Sequence, residues 1–154
     1  MIDTWNGIVE TGTAFSQEDS LTIQTGKDFF ASQSYTGVAE DEQGRITGQY
    51  ILHPNDPGRW GHICNASFAV STICRGQHIG EKLVTDCMKK AGDAGFCILQ
   101  FNAVVESNIH ARHLYERLGF VQPGEIPGGF RKLDDSYENI CPYYCLLDHE
   151  TESK

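Results

Sequence analysis

The sequence predicts a mixed α/β (α+β) fold in one domain, residues 1–154, with a sheet of about six strands and about four helices. Three observations carry this prediction. Residues 67–91 have the pattern of a strand, a glycine-bearing turn and a helix, and residues 35–52 have the pattern of a hairpin. Residues 96–104 are almost continuously apolar, as expected of a strand that is covered on both faces. A chain of 154 residues is long enough to bury its own core.

The first part of the chain is predicted to be helical. The apolar side chains of the first ten residues have helical spacing: Ile2, Trp5, Ile8 and Val9. A second helix is expected over residues 17–33, where residues 16–19 resemble a capping box and Gly26 interrupts the pattern.

The strands follow in sequence. Residues 35–40 and 46–52 are joined by a turn-rich segment, and a third strand is expected over residues 62–70. The remaining strands are predicted at residues 96–104, 120–122 and 137–147. The segments 124–129 and 131–136 are predicted to be loops because the first is rich in Pro and Gly.

The turn at residues 75–80 directly precedes a helix whose buried stripe is Ile79, Leu83, Val84, Cys87, Met88 and Ala91. A helix entered in this way presents unpaired N–H groups and the positive end of its dipole, which favour a phosphate. The nucleotide-triphosphate loop does not fit, because only three residues separate Gly76 from Gly80 and Glu81-Lys82 follows. The dinucleotide fingerprint G-x-G-x-x-G does not fit either.

A third pattern, Q/R-x-x-G-x-G/A after a strand, fits the sequence Arg75-Gly76-Gln77-His78-Ile79-Gly80 with one departure. It resembles the acyl-coenzyme A pyrophosphate loop of the GNAT superfamily of N-acetyltransferases, and His78 stands at the usual middle glycine. Residues 108–120, N-I-H-A-R-H-L-Y-E-R-L-G-F, resemble the N-x-x-A-x-x-L-Y-E-x-x-G-F helix of the same superfamily. The two motifs and their spacing cover roughly residues 62–146.

The resemblance implies a mostly antiparallel sheet with a V-shaped splay between residues 62–70 and 96–104. A strand usually precedes the first helix in the superfamily, and a helix is already expected here at residue 1, so either that strand lies before residue 1 or the sheet lacks its first edge strand. The co-substrate would be acetyl-coenzyme A, bound by the following residues: Phe68, Val70, Arg75, Gly76, Gln77, His78, Ile79, Gly80 and Asn108. Phe68 and Val70 would offer backbone groups to the pantetheine arm, Arg75 would contact phosphate, and Asn108 would contact the coenzyme or simply cap its helix. His78 is either tolerated or itself a phosphate ligand.

Tyr115 is the implied catalytic residue, because the resemblance places its hydroxyl near the sulfur of the departing thiolate. Packing alone would also explain the ring. A general base is needed because an ammonium has no lone pair. The sequence leaves five candidates open: His62, Asn65 through a water, Glu106, Asp134 and Asp135.

Composition limits the partners. A net charge of −9 argues against a nucleic-acid surface, and no apolar run has the length of a membrane span. The six cysteines have no zinc-binding spacing, so we expect free thiols, no metal and a cytoplasmic location. A homodimer is compatible with this composition.

The sequence therefore predicts an N-acetyltransferase that moves the acetyl group of acetyl-coenzyme A to a primary amine of a small molecule. A small-molecule amine acceptor is suggested by the segment 124–131 and the later tyrosines, which resemble members acting on amino acids or polyamines. Arg131 would suit an acceptor carboxylate, whereas the acidic composition would suit a polyamine. Two alternatives remain: a non-catalytic coenzyme A sensor or interaction module, and an enzyme that acetylates proteins or peptides.

Overall fold

The structure is a computed structural model that describes residues 1–74 and 76–148. The helices are α1 (Ile2–Thr11), α2 (Ile23–Ala31), α3 (Ile79–Asp93) and α4 (Ile109–Arg117). The strands are β1 (Tyr35–Glu40), β2 (Ile46–Pro54), β3 (Ile63–Val70), β4 (Ile98–Val105), β5 (Ile126–Arg131) and β6 (Tyr137–Leu146). They form one sheet in the order β1-β2-β3-β4-β6-β5, in which only the β3–β4 pair is parallel. The predicted mixed, mostly antiparallel fold is confirmed.

Helices α1 and α2 cover one face of the sheet. Their cluster is centred on Trp5 and Val9, which pack against Ile51 of β2 and Ala69 of β3. The second helix begins later than predicted, at Ile23, because the capping box is formed by Thr22 and Thr25 and not by residues 16–19. In this reciprocal cap each threonine side chain accepts from the backbone N–H of the other.

Helices α3 and α4 cover the opposite face. The predicted stripe of α3 is buried except for the half-buried Met88, with Leu83 and Val84 at 3% and 2% exposure, and the helix packs against β1, β2 and β3. Helix α4 contributes Leu114 and Tyr115 to the same core. The sheet is thus enclosed between two helical layers.

Such a gap opens between β3 and β4. The two strands pair over three residues only, from Ile63 opposite Ile98 to Asn65 opposite Gln100. Beyond this point β3 continues to Val70 and β4 to Val105, but the two strands no longer pair with each other, which produces the V-shaped opening. Among described residues, β3 therefore has a neighbouring strand on one side only over its last five positions.

An irregularity in β4 contributes to this geometry. The β4–β6 register shifts between Phe101 and Val104. Strict alternation would send these two side chains to opposite faces, yet both lie in the core beneath α3 and α4. The bulge therefore turns the end of β4, and Asn102 within it is exposed toward the opening.

Two sequence predictions of strands were wrong. The segment expected to be a loop at residues 124–129 lies largely in β5, where Gly129 packs so closely on Ile140 that a Cβ would come within 2.5 Å of its Cγ1. Residues 120–122 form no strand and contribute one bridge, from Val121 to Tyr144.

Within the described part of the chain, no helix combines the length and apolarity needed to cross a membrane.

Candidate active site

A cavity of about 400 Å³ passes through the opening between β3 and β4. On the side of α3 and α4 it is lined by Phe68, Phe101 and Tyr115, and Asn108 borders it at the start of α4. On the side of α1 and α2 it is lined by three aromatic rings and by polar side chains of the sheet: Trp5, Phe15, Phe29, His53, Asn65 and Ser67. The lining thus comes from both faces of the sheet, and the two parts of the cavity are called chambers below.

Tyr115 lines the cavity from the side of α3 and α4. Its ring is held by Phe101, Phe120 and Tyr143, with centroid distances of 4.5, 5.6 and 5.7 Å. No hydrogen bond from its hydroxyl to another described residue is present. Burial raises the pKa of Tyr115, and the nearby Cys87 and Tyr143 side chains act in the same direction. The hydroxyl is therefore protonated at neutral pH, and with no partner among the described residues it is available to donate its proton to a ligand.

The backbone of β3 presents unpaired groups to the opening. Asn55 N–H donates to the Ile63 carbonyl at 2.8 Å, and Ser71 N–H donates to the Thr47 carbonyl at 2.9 Å. The backbone N–H and C=O groups of the odd-numbered residues of β3 are therefore directed toward β2. Alternate residues of a strand direct their N–H and C=O groups to opposite sides. Phe68 and Val70 therefore aim these groups into the opening, where an extended ligand could pair with them.

The turn before α3 has the features of an anion site. Gly76 adopts φ 80° and His78 adopts φ 56°. No backbone hydrogen bond to the described residues is made by the N–H groups of residues 77–80, which converge at the helix N-terminus. Gly80 faces Leu114 of α4 with room to spare, since a Cβ there would be 3.9 Å from the Leu114 Cδ2. Arg75 lies outside the described residues.

His78 adopts a left-handed conformation, with φ 56°. A left-handed conformation costs a non-glycine residue about 1 kcal/mol. The imidazole is 78% exposed, and its Nδ1 lies 3.6 Å from Glu81 Oε2. The ring is therefore directed away from the core, and its contact with a phosphate stays a prediction.

The sequence comparison decides the family. The acetyltransferase (GNAT) family profile matches residues 5–120, which is three quarters of the chain. The chain belongs to this family. N-acetyltransferase aca1 of Schizosaccharomyces pombe is 31% identical to the GNAT chain. The match covers 77% of the GNAT chain, which spans 64% of that relative's length.

Solved structures agree with this assignment. A GCN5-related N-acetyltransferase from Kribbella flavida is 32% identical, with a TM-score of 0.86 over 96% of the GNAT chain and 90% of its own. A phosphinothricin acetyltransferase from Sinorhizobium meliloti, solved in complex with AcCoA, shares the fold at 19% identity. Its TM-score is 0.86 over 99% and 84% of the two chains.

Asn108 of the GNAT chain caps α4. Its Oδ1 accepts from Ala111 N–H at 3.3 Å, and the residue also lines the cavity. The capping role that the sequence allowed is therefore present, and a contact with the coenzyme would be additional to it. Asn108 can cap the helix and still contact a ligand in the cavity, because the cap uses only Oδ1 and leaves the amide Nδ2 available.

The candidate bases from the sequence are separated by the fold. His62 lies at the closed end of the V, where its carbonyl accepts from Cys97 N–H at 2.9 Å. Glu106, Asp134 and Asp135 do not line the cavity, and Asp134 is held by Ser136 in the β5–β6 turn. Asn65 does line it. Sequence reasoning missed His53, a lining residue that follows the apolar core of β2 and is the register partner of Asn65.

The cysteines are not placed for covalent catalysis. No described residue that lines the cavity is a cysteine. Burial raises the pKa of Cys64 to about 12 and that of Cys145 to about 11, which keeps both thiols protonated. Among the described residues, no three His, Cys, Asp or Glu side chains come together in a group that could hold a metal ion.

Proposed function

We propose that this protein is an N-acetyltransferase that transfers the acetyl group of acetyl-coenzyme A to a primary amine of a small molecule. The observation that carries the proposal is the cavity between β3 and β4. Tyr115 and the unpaired backbone groups of β3 line it on one side of the sheet, and a second chamber lies on the other side. The relatives named above are N-acetyltransferases, and one neighbouring structure contains AcCoA.

The coenzyme would bind on the α3 and α4 side. Its pyrophosphate would lie at the residue 76–80 turn with Arg75, and its pantetheine arm would extend along the backbone of Phe68 and Val70 as an additional strand does. The N–H groups of the turn fit this group because they are unpaired and lie at the positive end of the α3 dipole. Asn108 would contact the coenzyme from the start of α4.

The reaction would be a direct attack within a ternary complex. The amine lone pair forms a bond to the acetyl carbon, and unpaired β3 N–H groups stabilise the negative oxygen. The C–S bond then breaks, the thiolate takes the proton of the Tyr115 hydroxyl, and the proton that the acylated nitrogen loses restores that hydroxyl. An acetyl-cysteine intermediate is disfavoured because the described lining lacks a thiol.

The size of the cavity supports a small acceptor. The whole cavity, of which the acceptor chamber is only a part, has a volume of about 400 Å³, at the lower end of the range for small-molecule sites. The loop between α1 and α2 covers the acceptor chamber, since Trp5 Nε1 donates to Gln17 Oε1 at 2.9 Å. An extended peptide would have to displace this loop.

The test is release of coenzyme A thiol from acetyl-coenzyme A, measured with and without an amine panel. We expect release that depends on the amine and saturates with it. Tight binding of acetyl-coenzyme A without amine-dependent turnover would instead support a coenzyme A sensor. Acetylation of peptides in preference to free amines would support the protein-modifying alternative.

A further inference from the structure

The acceptor chamber has a composition that selects among amines. Resting on the proposed function, we infer that the acceptor is a monoamine with an apolar body of aromatic size, and that a second charged group on the acceptor is disfavoured. This resolves the conflict between the two acceptor classes suggested by the sequence, because neither a polyamine nor a ligand of Arg131 fits the described lining.

An aromatic wall forms one side of the chamber. This aromatic wall consists of Trp5, Phe15 and Phe29. The ring centroid of Trp5 lies 4.5 Å from that of Phe15 and 5.3 Å from that of Phe29. All three residues line the cavity, and Ile51 extends the apolar surface onto β2. Aromatic surfaces of this kind favour flat or chain-like apolar groups, which gain free energy when they leave water.

The wall is held in place before any ligand binds. Trp5 donates to Gln17, and the neighbouring Glu18 forms a 2.6 Å ion pair with Arg131 of β5. Arg131 also lies 3.4 Å from Asp135, so its guanidinium is already paired with two carboxylates. Arg131 thereby links β5 to the loop between α1 and α2. It does not line the cavity, so it is not placed to bind a carboxylate of the acceptor.

The described lining carries no Asp, Glu, Lys or Arg. Its polar groups are amides, hydroxyls and the His53 imidazole. Glu18 and Glu106 adjoin lining residues in the sequence but do not line the cavity. Moving a second ammonium into this chamber would remove its hydration without offering a carboxylate partner, which is unfavourable.

A matched pair of amines tests the inference. Pentylamine and 1,5-diaminopentane have the same five-carbon chain and differ at its last carbon by a hydrogen against an ammonium. We expect kcat/KM for pentylamine to exceed that for 1,5-diaminopentane at least tenfold, and 2-phenylethylamine to be a better acceptor than either. A ratio below ten would overturn the inference while acetyl transfer itself still supported the proposed function. Absence of transfer to every amine tested would overturn both.

A matched pair of variants tests the wall. Phe29→Leu should lower kcat/KM for 2-phenylethylamine at least fivefold and leave KM for acetyl-coenzyme A unchanged. Phe30→Leu is the control, because Phe30 also contacts Trp5, at 5.7 Å, but does not line the cavity. Equal effects of the two variants would show that the aromatic cluster acts through stability alone and would overturn the role of the wall.

An independent observation points to His53 as the general base. Its Nδ1 lies 2.9 Å from the Pro54 carbonyl oxygen. A carbonyl can only accept a hydrogen bond, so Nδ1 carries the proton and donates it. The neutral ring then has its lone pair on Nε2, the form that can accept a proton from an ammonium. This hydrogen bond favours the Nδ1-protonated tautomer and does not depend on a ligand.

The position of His53 agrees with this role. It lies on the acceptor side of the sheet beside Asn65, and no other described lining residue is a histidine or carries a carboxylate. In the proposed step Nε2 takes one proton from the acceptor ammonium, directly or through one water, and the released lone pair attacks the acetyl carbon. Tyr115 supplies a proton to the thiolate on the other side of the opening.

The variant His53→Asn tests the base. Its amide can still donate to the Pro54 carbonyl, but it has nothing in place of Nε2. We expect at least a 30-fold fall in kcat/KM with ethylamine and less than a fivefold fall with 2,2,2-trifluoroethylamine, which needs no base because electron withdrawal leaves it largely unprotonated at neutral pH. His62→Asn, at the closed end of the V, should stay within twofold with both amines.

Equal losses on the two amines would overturn the assignment, since a structural role does not depend on the protonation state of the acceptor. Unchanged activity with ethylamine would overturn it as well. His53→Gln is the second variant if His53→Asn does not fold, and the same difference between the two amines is expected of it.

Discussion

The substitution Tyr115→Phe separates packing from proton transfer, because the structure gives these two roles to different parts of the side chain. The ring contacts Phe101, Phe120 and Tyr143, and a phenylalanine ring keeps all three contacts. The hydroxyl has no hydrogen-bond partner among the described residues. Its removal should therefore change the free energy of unfolding by no more than about 0.5 kcal/mol.

The catalytic effect should be larger than the effect on stability. Proton transfer from a positioned side chain contributes about 10²- to 10⁴-fold, but a thiol with a pKa of about 8.5 is already a fair leaving group. We expect kcat to fall about 10- to 100-fold, equivalent to about 1.4 to 2.7 kcal/mol of transition-state stabilisation. KM for acetyl-coenzyme A should change little, as expected when an interaction forms mainly in the transition state.

Single-turnover mixing of enzyme and acetyl-coenzyme A with excess amine is the appropriate assay, because slow product release could hide the chemical step. Tyr143→Phe is a matched control. The Tyr143 hydroxyl lies 3.0 Å from Glu116 Oε1 and accepts from Arg112 Nε at 3.2 Å, so its loss should cost about 1 to 3 kcal/mol of stability and less than threefold in rate. A wild-type single-turnover rate in Tyr115→Phe would refute the assignment of the acid.

Three further predictions concern the coenzyme side and the pH range. Acetyl-coenzyme A should raise the melting temperature more than S-acetylpantetheine, because the latter lacks the pyrophosphate that the residue 76–80 turn would bind; equal shifts would contradict that site. His78→Gly should relieve the φ 56° conformation, raise the free energy of unfolding by up to about 1 kcal/mol in urea titrations, and leave the coenzyme dissociation constant within a few-fold. A loss of affinity beyond tenfold, about 1.4 kcal/mol, would show that the imidazole binds phosphate. Since burial raises the pKa of Tyr115 above the ordinary value of about 10, kcat should show no decline due to loss of its proton up to pH 9, and a Tyr115-dependent decline below that pH would be inconsistent with a buried acid.

The parts of the fold that were predictable are those in which one periodic pattern determines the structure. The spacing of Leu83, Val84 and Cys87 predicted α3, and these side chains are the ones buried against the sheet. The two motif-bearing segments were placed correctly for the same reason. Each combines a regular apolar repeat with a glycine turn, so local preference and tertiary packing agree.

Other features depend on contacts that the sequence does not display. β5 contains Pro and two glycines, which locally favour a turn, but Gly129 allows the close approach of Ile140 that its pairing with β6 requires. The bulge after Phe101 cannot be read from strand alternation. The true cap of α2 was missed because Thr22 and Thr25 form an unusual capping box without the usual Glu or Gln.

The candidate site divides in the same way. The side proposed to bind the coenzyme follows from motifs and was named residue by residue, and the roles of those residues stay predictions. The side proposed to bind the acceptor is assembled from α1, the loop before α2, and single positions of β2 and β3, so no local sequence pattern predicts it. His53 illustrates this difficulty, because its one distinguishing feature is the hydrogen bond from Nδ1 to the Pro54 carbonyl.

The most direct test of direct acetyl transfer in the β3–β4 opening uses acetyl-coenzyme A labelled in its acetyl group. In a single turnover with excess pentylamine, the label should appear in N-acetylpentylamine in a one-to-one ratio to the thiol released, while mass spectrometry of the intact protein finds no acetyl adduct at any time. Labelled protein that forms before the amide and decays as the amide appears would contradict direct attack. Thiol release without labelled amide would contradict acetyl transfer to the amine altogether.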